Sequence, residues 1–188
     1  MIILWIGLMY ATSVHIFGCS IYGIRFVIYL TSWCAVIQTA TLIHLLLVKF
    51  PTKLTKTLLT TSWSIGWGVV ILFWLVIFPS FDNKLLPPVP LYISTHGGLH
   101  FFIVYFYLKS KIKVKIEDIK APLYICLFYF FGMIMPLKFA GVTVYPHFME
   151  RFWPTIVSLF GTLGIITLSF FSGLYLKKTR IEKKIKFF

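Results

Sequence analysis

Six long stretches of continuously apolar residues, separated by short polar segments, run along this chain of 188 residues. A helix needs ~20 mostly apolar residues to cross a hydrocarbon core of ~30 Å, and the stretches are close to that length. Because they do not alternate polar and apolar residues, the ~10-residue strands of an outer-membrane barrel are excluded. The pattern predicts six transmembrane helices, over residues 1–17, 26–48, 58–78, 91–108, 121–138 and 152–176.

The composition supports this prediction. Hydrophobic residues make up 59% of the chain and charged residues 12%, with a mean hydropathy of +0.91, values that exclude an ordinary soluble domain. No repeat or linker divides the chain, so we predict one all-α domain over residues 1–188, an integral membrane bundle with a basic tail at 177–188. The first span lacks the basic n-region of a signal peptide and is interpreted as a transmembrane helix. Pro136 is expected to kink or end the fifth span.

The net charge of +13 is explained by the placement of the basic residues. Fourteen of the 18 fall between spans two and three, between spans four and five, or in the tail. The positive-inside rule then predicts that both termini are cytoplasmic and that loops 18–25, 79–90 and 139–151 face the lumen or exterior. Such charges are typical of topology signals rather than of nucleic-acid binding. The basic loops are also expected to contact anionic lipid headgroups.

Acidic residues are absent from the predicted spans. All five lie in loops or in the tail, namely Asp82, Glu117, Asp118, Glu150 and Glu182. A proton pump or cation-coupled transporter normally needs a carboxylate within the membrane, and a two-carboxylate hydrolytic mechanism is excluded for the same reason. The three cysteines form no Cys-x-x-Cys spacing. Candidate chemistry therefore rests with histidine and hydroxyl side chains.

Two histidines of the fourth span, His96 and His100, are four residues apart and share one helical face. This spacing suits a metal ion, but without a third ligand of known placement it is a weak zinc signal. A haem between His15 and His44 is a weaker alternative, because these residues lie near opposite ends of their helices. No metal and no other cofactor is predicted.

The second span carries a polar face that includes Thr31 and Gln38. In one interpretation Thr31 bonds a carbonyl of its own helix and Gln38 joins two helices. In the other, Thr31 and His100 lie ~9 Å and ~14 Å below the same membrane surface and form a hydroxyl–imidazole pair. The histidine would then act as general base and later as general acid. That pair suits acyl transfer from a lipid ester, which reaches the site laterally.

Three blocks of residues carry a resemblance to a known family. They are Tyr22-Gly23, Tyr29-Leu30-Thr31 and Val36-Ile37-Gln38 in the first block, Phe73-Trp74 and Gly98-Leu99-His100 in the second, and Gly141, Val144-Tyr145-Pro146 and Phe148 in the third. In this order the blocks resemble the androgen-induced-gene family of six-helix membrane proteins. The ordered set covers most of the chain, although no single block is specific.

The resemblance implies a threonine hydrolase that cleaves fatty acid esters of hydroxy fatty acids, with Thr31 matching the nucleophile and His100 the essential histidine. The chain departs from the family at Gly97, which replaces its first histidine. We expect an oxyanion or orienting donor from His96, Tyr145 or Gln38. The expected location is an endomembrane, such as the endoplasmic reticulum, or the plasma membrane. The alternative is a non-catalytic lipid-binding or scaffold membrane protein.

Overall fold

The structure of the chain is a computed structural model, described here for residues 1–77, 97–142, 144 and 152–185. Every regular element in these ranges is helical, which confirms the all-α prediction. The α-helices are α1 (Ile2–Tyr22), α2 (Leu30–Leu47), α3 (Lys53–Leu72), α4 (Leu99–Lys109), α5 (Lys120–Tyr129), α6 (Met135–Phe139) and α7 (Phe152–Ile185). Short 3-10 segments cover Gly23–Ile28 and Ile116–Ile119, and π-helical turns cover Phe73–Ile77 and Phe130–Ile134.

Five helical stretches are long and apolar enough to cross a membrane, as expected of a multi-pass membrane protein. They are Ile2–Ile21, Leu30–Leu47, Lys53–Leu75, Ile116–Phe139 and Trp153–Thr179. Helix α4 is apolar but shorter in the described residues. It forms the second half of the predicted fourth span, whose residues 91–96 lie outside the described ranges.

The helix ends differ from the predicted bounds. Helix α1 continues to Tyr22, and a 3-10 segment over Gly23–Ile28 separates it from α2, which begins at Leu30 rather than at residue 26. Gly23 has φ 54°, a left-handed conformation that glycine adopts without steric cost. The predicted tail continues helix α7 as far as Ile185, because lysine is a good helix former and neither glycine nor proline occurs after Gly173.

Pro136 does not end the fifth span, and the irregularity there is a widened turn before the proline. The π-helical turn Phe130–Ile134 directly precedes α6, in which Pro136 is the second residue. Proline has no N–H to donate, and its ring clashes with the carbonyl four residues earlier, here that of Gly132. A π-turn relieves that clash and lets the helix continue to Phe139.

Helix α3 occupies the centre of the bundle. It contacts α2, α4, α5 and α7. Its buried face consists largely of small side chains, namely Thr60, Thr61, Ser62, Ser64, Gly66 and Gly68. Small residues let neighbouring helix backbones approach closely in a membrane, where packing rather than the hydrophobic effect holds helices together. This central helix therefore brings side chains of α2 and α4 within reach of each other.

Candidate functional site

His100 lies in the first turn of α4 and is buried at the junction of three helices, with 5% of its surface exposed. Its Nδ1 atom is 3.2 Å from Nε2 of Gln38 on α2. Two tryptophans of α3 border the imidazole, with ring centroids 5.0 Å away for Trp67 and 6.4 Å away for Trp63. The Trp67 ring is nearly perpendicular to the imidazole. These contacts hold the imidazole in one place between α2, α3 and α4.

Gly66 of α3 makes room for this arrangement. A Cβ atom at position 66 would lie 2.6 Å from Nε2 of Gln38 and closer still to Nδ1 of His100. Both separations are shorter than van der Waals contact, so any larger residue would displace one of the two side chains. The absence of a side chain at Gly66 is therefore what allows the His100–Gln38 hydrogen bond to form.

The Gln38 amide determines which imidazole nitrogen carries the proton. An amide nitrogen can only donate, so in this arrangement Nδ1 accepts and the proton of the neutral ring is on Nε2. Rotating the amide by 180° would present its carbonyl oxygen to Nδ1 and move the proton there. In that second state Nε2 has the free lone pair that a general base requires. Gln38 can thus orient His100 in either neutral tautomer, depending on which end of its amide faces Nδ1.

The environment of the other nitrogen of His100 differs from that of Nδ1. Its Nε2 atom is buried and makes no hydrogen bond within the part of the chain that the structure describes. Leaving a buried polar atom without a partner costs free energy, ~1–3 kcal/mol for a neutral group. Such atoms can mark a bound water, a ligand or a catalytic role. Among the described residues His100 shares this state with the hydroxyls of Ser32, Thr60, Thr61 and Tyr107, and of these groups the imidazole is the one suited to general-base chemistry near neutral pH.

Thr31 lies in the first turn of α2 and is half-buried. Its hydroxyl makes no hydrogen bond with any described residue, in contrast to Thr39 and Thr41 of the same helix, which bond carbonyls one turn earlier at 2.7 Å. The predicted back-bond of Thr31 to its own helix is therefore not seen in these residues. The Thr31 hydroxyl is not engaged by the described part of the bundle.

Thr31 and His100 are not hydrogen-bonded to each other. Gln38, which contacts His100, lies seven residues beyond Thr31, or ~10 Å along the axis of α2. Helical side chains lean toward the helix N-terminus, so the Gln38 amide extends back toward the Thr31 end of α2. Among the described candidates the structure brings together His100 and Gln38, while Thr31 stands two turns away on the same helix.

Further polar pairs follow α2 beyond Gln38. Thr41 is 2.7 Å from the hydroxyl of Ser62, and Nε2 of His44 is 2.8 Å from the hydroxyl of Thr55. Both pairs join α2 to α3. Gln38 therefore does join two helices, as one interpretation of the sequence predicted, and it belongs to a series of interhelical hydrogen bonds along the inner face of α2.

The histidines considered for haem are engaged elsewhere. Nε2 of His15 is 3.0 Å from the hydroxyl of Thr39, and His44 bonds Thr55. Within residues 1–77, 97–142, 144 and 152–185, no three His, Cys, Asp or Glu side chains are placed to hold a metal ion. His96 and Tyr145, the two other residues expected to serve as oxyanion or orienting donors, lie outside the described residues.

Comparison with known proteins identifies no relative of this chain. No protein-family model matches it, and neither does any curated protein or solved structure. The resemblance to the androgen-induced-gene family therefore stays a prediction. What can be said of function rests on the residues and on their geometry.

Sequence reasoning missed three residues that surround His100, namely Trp63, Gly66 and Trp67 of α3. Gly66 was recognisable only as a small residue suited to helix packing, because nothing in the sequence fixes the rotation and register of α3 against α4. A glycine between two tryptophans in a span rich in serine and threonine was the available signal.

Proposed function

We propose that this protein is an intramembrane hydrolase of lipid esters, in which His100 acts as general base and acid and Thr31 as nucleophile. The observation that carries the proposal is the buried imidazole, held at Nδ1 by Gln38 and without a partner at Nε2 among the described residues. With the Gln38 amide rotated by 180°, so that its carbonyl oxygen accepts from Nδ1–H, this contact becomes that of a general base and its orienting amide, with the Nε2 lone pair free. The resemblance described above suggests fatty acid esters of hydroxy fatty acids as substrates.

In the proposed reaction the Thr31 hydroxyl attacks the ester carbonyl and transfers its proton to His100. The resulting tetrahedral intermediate expels the alcohol, which takes the proton from His100, and an acyl group remains on Thr31. Water activated by His100 then releases the fatty acid. Because no hydrogen bond joins Thr31 to His100 and Thr31 stands two turns from the Gln38 contact, the proposed proton transfer requires a relay of several waters or the polar groups of the bound substrate. A lipid ester can enter between helices without leaving the membrane.

For the membrane arrangement we propose six spans with both termini in the cytoplasm. An ion pair supports placing two basic loops at one end of the bundle, since Lys56 Nζ is 2.7 Å from a carboxylate oxygen of Asp118. This contact connects the start of α3 to the segment between α4 and α5. The positive-inside rule assigns that end to the cytoplasm. We propose the endoplasmic reticulum or another endomembrane, or the plasma membrane, as the location.

The test is ester hydrolysis by the full chain in proteoliposomes, with substrates that carry an acyl group on a hydroxy fatty acid. Replacing the general base is expected to lower the rate ~10²–10⁴-fold in His100→Ala. The loss in Thr31→Ala should be at least as large. The matched controls are His15→Ala, which likewise removes an interhelical hydrogen bond of a histidine, here to Thr39, and Ser32→Ala, which removes the hydroxyl next to Thr31. Both controls should keep wild-type activity.

The second candidate function is a non-catalytic lipid-binding or scaffold protein. The observation that favours it is the series of hydrogen bonds between α2 and its neighbours, in which Gln38 and His100 also serve to hold helices together. This candidate predicts an inactive wild-type chain, with His100→Ala and His15→Ala both lowering only the stability. Full activity in either Thr31→Ala or His100→Ala would contradict the hydrolase.

A further inference from the structure

Between α4 and α5 the chain carries lysines at every second position. They are Lys109, Lys111, Lys113 and Lys115, called the lysine row below, and all four are exposed. The residues between them point the other way, since Ile112 is buried with 5% of its surface exposed and Val114 is half-buried. Side chains that alternate between two faces indicate an extended backbone. Ser110 and Lys115, at the two ends of the segment, have extended dihedral angles.

The inward residues fix this segment to the end of the bundle. Ile112 packs in a cluster with Leu59, Trp63 and Tyr107, and Val114 packs against the same cluster. Beyond the row, Oδ2 of Asp118 accepts a hydrogen bond from the Lys115 backbone at 2.7 Å, and its other oxygen pairs with Lys56. The segment is therefore held along its inward face and at its C-terminal end by contacts that leave the lysine side chains outside.

The geometry spaces the charges regularly along one edge. In an extended chain, residues two apart are ~6–7 Å apart, so Lys111 and Lys115 lie ~13 Å from each other. Asp118 is neutralised by Lys56, and the exposed acidic residue beside the row is Glu117. The row thus keeps a net positive charge where two apolar helices end. Long lysine stems can follow apolar surface while the ammonium groups reach a polar layer.

We propose that the lysine row binds the anionic headgroups of the membrane leaflet at this end of the bundle. Phosphate-bearing lipids with net negative charge match a row of ammonium groups that the fold holds at the ends of two apolar helices. The surface attraction adds about fivefold in affinity per basic residue near an anionic leaflet. This proposal is independent of the hydrolase proposal, because none of the row residues belongs to the candidate site.

The experiment measures lipid binding to the detergent-purified full chain by native mass spectrometry, with phosphatidylserine and phosphatidylcholine titrated separately. The row variant carries Lys111→Gln, Lys113→Gln and Lys115→Gln. Its matched control carries Lys49→Gln, Lys53→Gln and Lys178→Gln, three exposed lysines outside the row. We expect the row variant to lose its preference for phosphatidylserine by about a hundredfold, since each of the three lysines contributes about fivefold. The control removes the same charge near the same end of the bundle, so its loss gives the general electrostatic contribution, and the row variant is expected to lose several-fold more.

Three outcomes would overturn the proposal. They are an unchanged preference in the row variant, an equal loss in both triple variants, and row-dependent binding of soluble polyglutamate without row-dependent binding of phosphatidylserine. If the triple variant fails to fold, Lys113→Gln alone keeps the test open, with an expected loss of about fivefold. Helical circular dichroism checks the fold of each variant. Added salt should reduce the wild-type preference and leave phosphatidylcholine binding unchanged.

Discussion

Helices α1 and α3 are both apolar enough to cross a membrane, yet they occupy opposite environments in the bundle. Within their apolar windows, 61% of the residues of α3 are buried against 22% of those of α1. Helix α1 exposes large side chains such as Trp5 and Met9, whereas α3 buries hydroxyls and glycines. Hydropathy therefore identifies a membrane span, but side-chain size and hydrogen-bonding capacity determine whether it lies inside the bundle or faces outward.

The polar residues of the two helices differ in the same way, because those of α1 bond their own helix and those of α3 contact other helices. In α1 the hydroxyls of Thr12 and Ser13 bond carbonyls of their own helix at 3.0 Å. In α3 the hydroxyl of Ser62 bonds Thr41 of α2, and Gly66 makes space for His100. Hydrogen bonds between helices therefore occur where a helix is surrounded by other helices, whereas the hydroxyls of an outer helix bond their own backbone.

The largest loss of stability should come from replacing a tryptophan of the central helix α3. Trp63 is 3% exposed, stacks on Tyr107 at 4.4 Å between ring centroids and donates to the Ser169 carbonyl at 2.8 Å. We expect Trp63→Ala to lower the free energy of unfolding by ~3–5 kcal/mol. The control is Trp5→Ala in α1, at a position 53% exposed, which should change it by only ~0.5 kcal/mol. Unfolding in detergent, followed by circular dichroism, measures both, and equal losses would refute the contrast.

The second prediction concerns glycine-to-alanine substitutions, which should lower the stability in the central helix α3 and raise it in the outer helix α7. Gly66→Ala places a methyl group against His100 and Gln38, so overpacking should cost ~1–3 kcal/mol of stability. Gly161→Ala in α7 meets no atom within 4 Å and should stabilise the helix by up to ~1 kcal/mol, since alanine is the better helix former. The same unfolding assay compares the two variants. Stabilisation by Gly66→Ala would show that His100 and Gln38 do not pack closely against position 66.

The smallest effect concerns one interhelical hydrogen bond. A double-mutant cycle with Thr41→Val and Ser62→Ala should give a coupling of ~0.6 kcal/mol, and no more than ~1.7 kcal/mol, as for other hydrogen bonds between membrane helices. The control cycle pairs Thr12→Val with Ser62→Ala and should give no coupling, because Thr12 bonds its own helix. Coupling in the control cycle would mean that the variants act through a general loss of packing.

Much of the fold was predictable because membrane spans depend on local composition. The helical class and the apolar stretches that form helices followed from continuous hydrophobic runs, whereas the helix continues through Pro136 with a π-helical turn before it, which the sequence did not indicate. The ends of the helices were less predictable. Tyr22 and Ile185 extend helices beyond the apolar runs, because helix formation depends on propensity and on the next breaking residue rather than on hydropathy alone.

The candidate site was predictable only in part. The polar face of α2 and the importance of His100 could be seen in the sequence, since polar groups are rare within these spans. The contact of His100 with Gln38 rather than with Thr31 could not, because it depends on the register between α2 and α4. The contact also needs the space left by Gly66 on a third helix, and no local sequence rule relates residues 38, 66 and 100.

The central claim is that Thr31 forms an acyl intermediate with the help of His100. The direct measurement is intact-protein and peptide mass spectrometry after the full chain is mixed with a lipid ester and quenched rapidly. We predict an acyl group on the peptide that contains Thr31, present in Ser32→Ala and absent in Thr31→Ala and His100→Ala. An adduct on Ser32, or an equal adduct in the His100→Ala variant, would contradict the account.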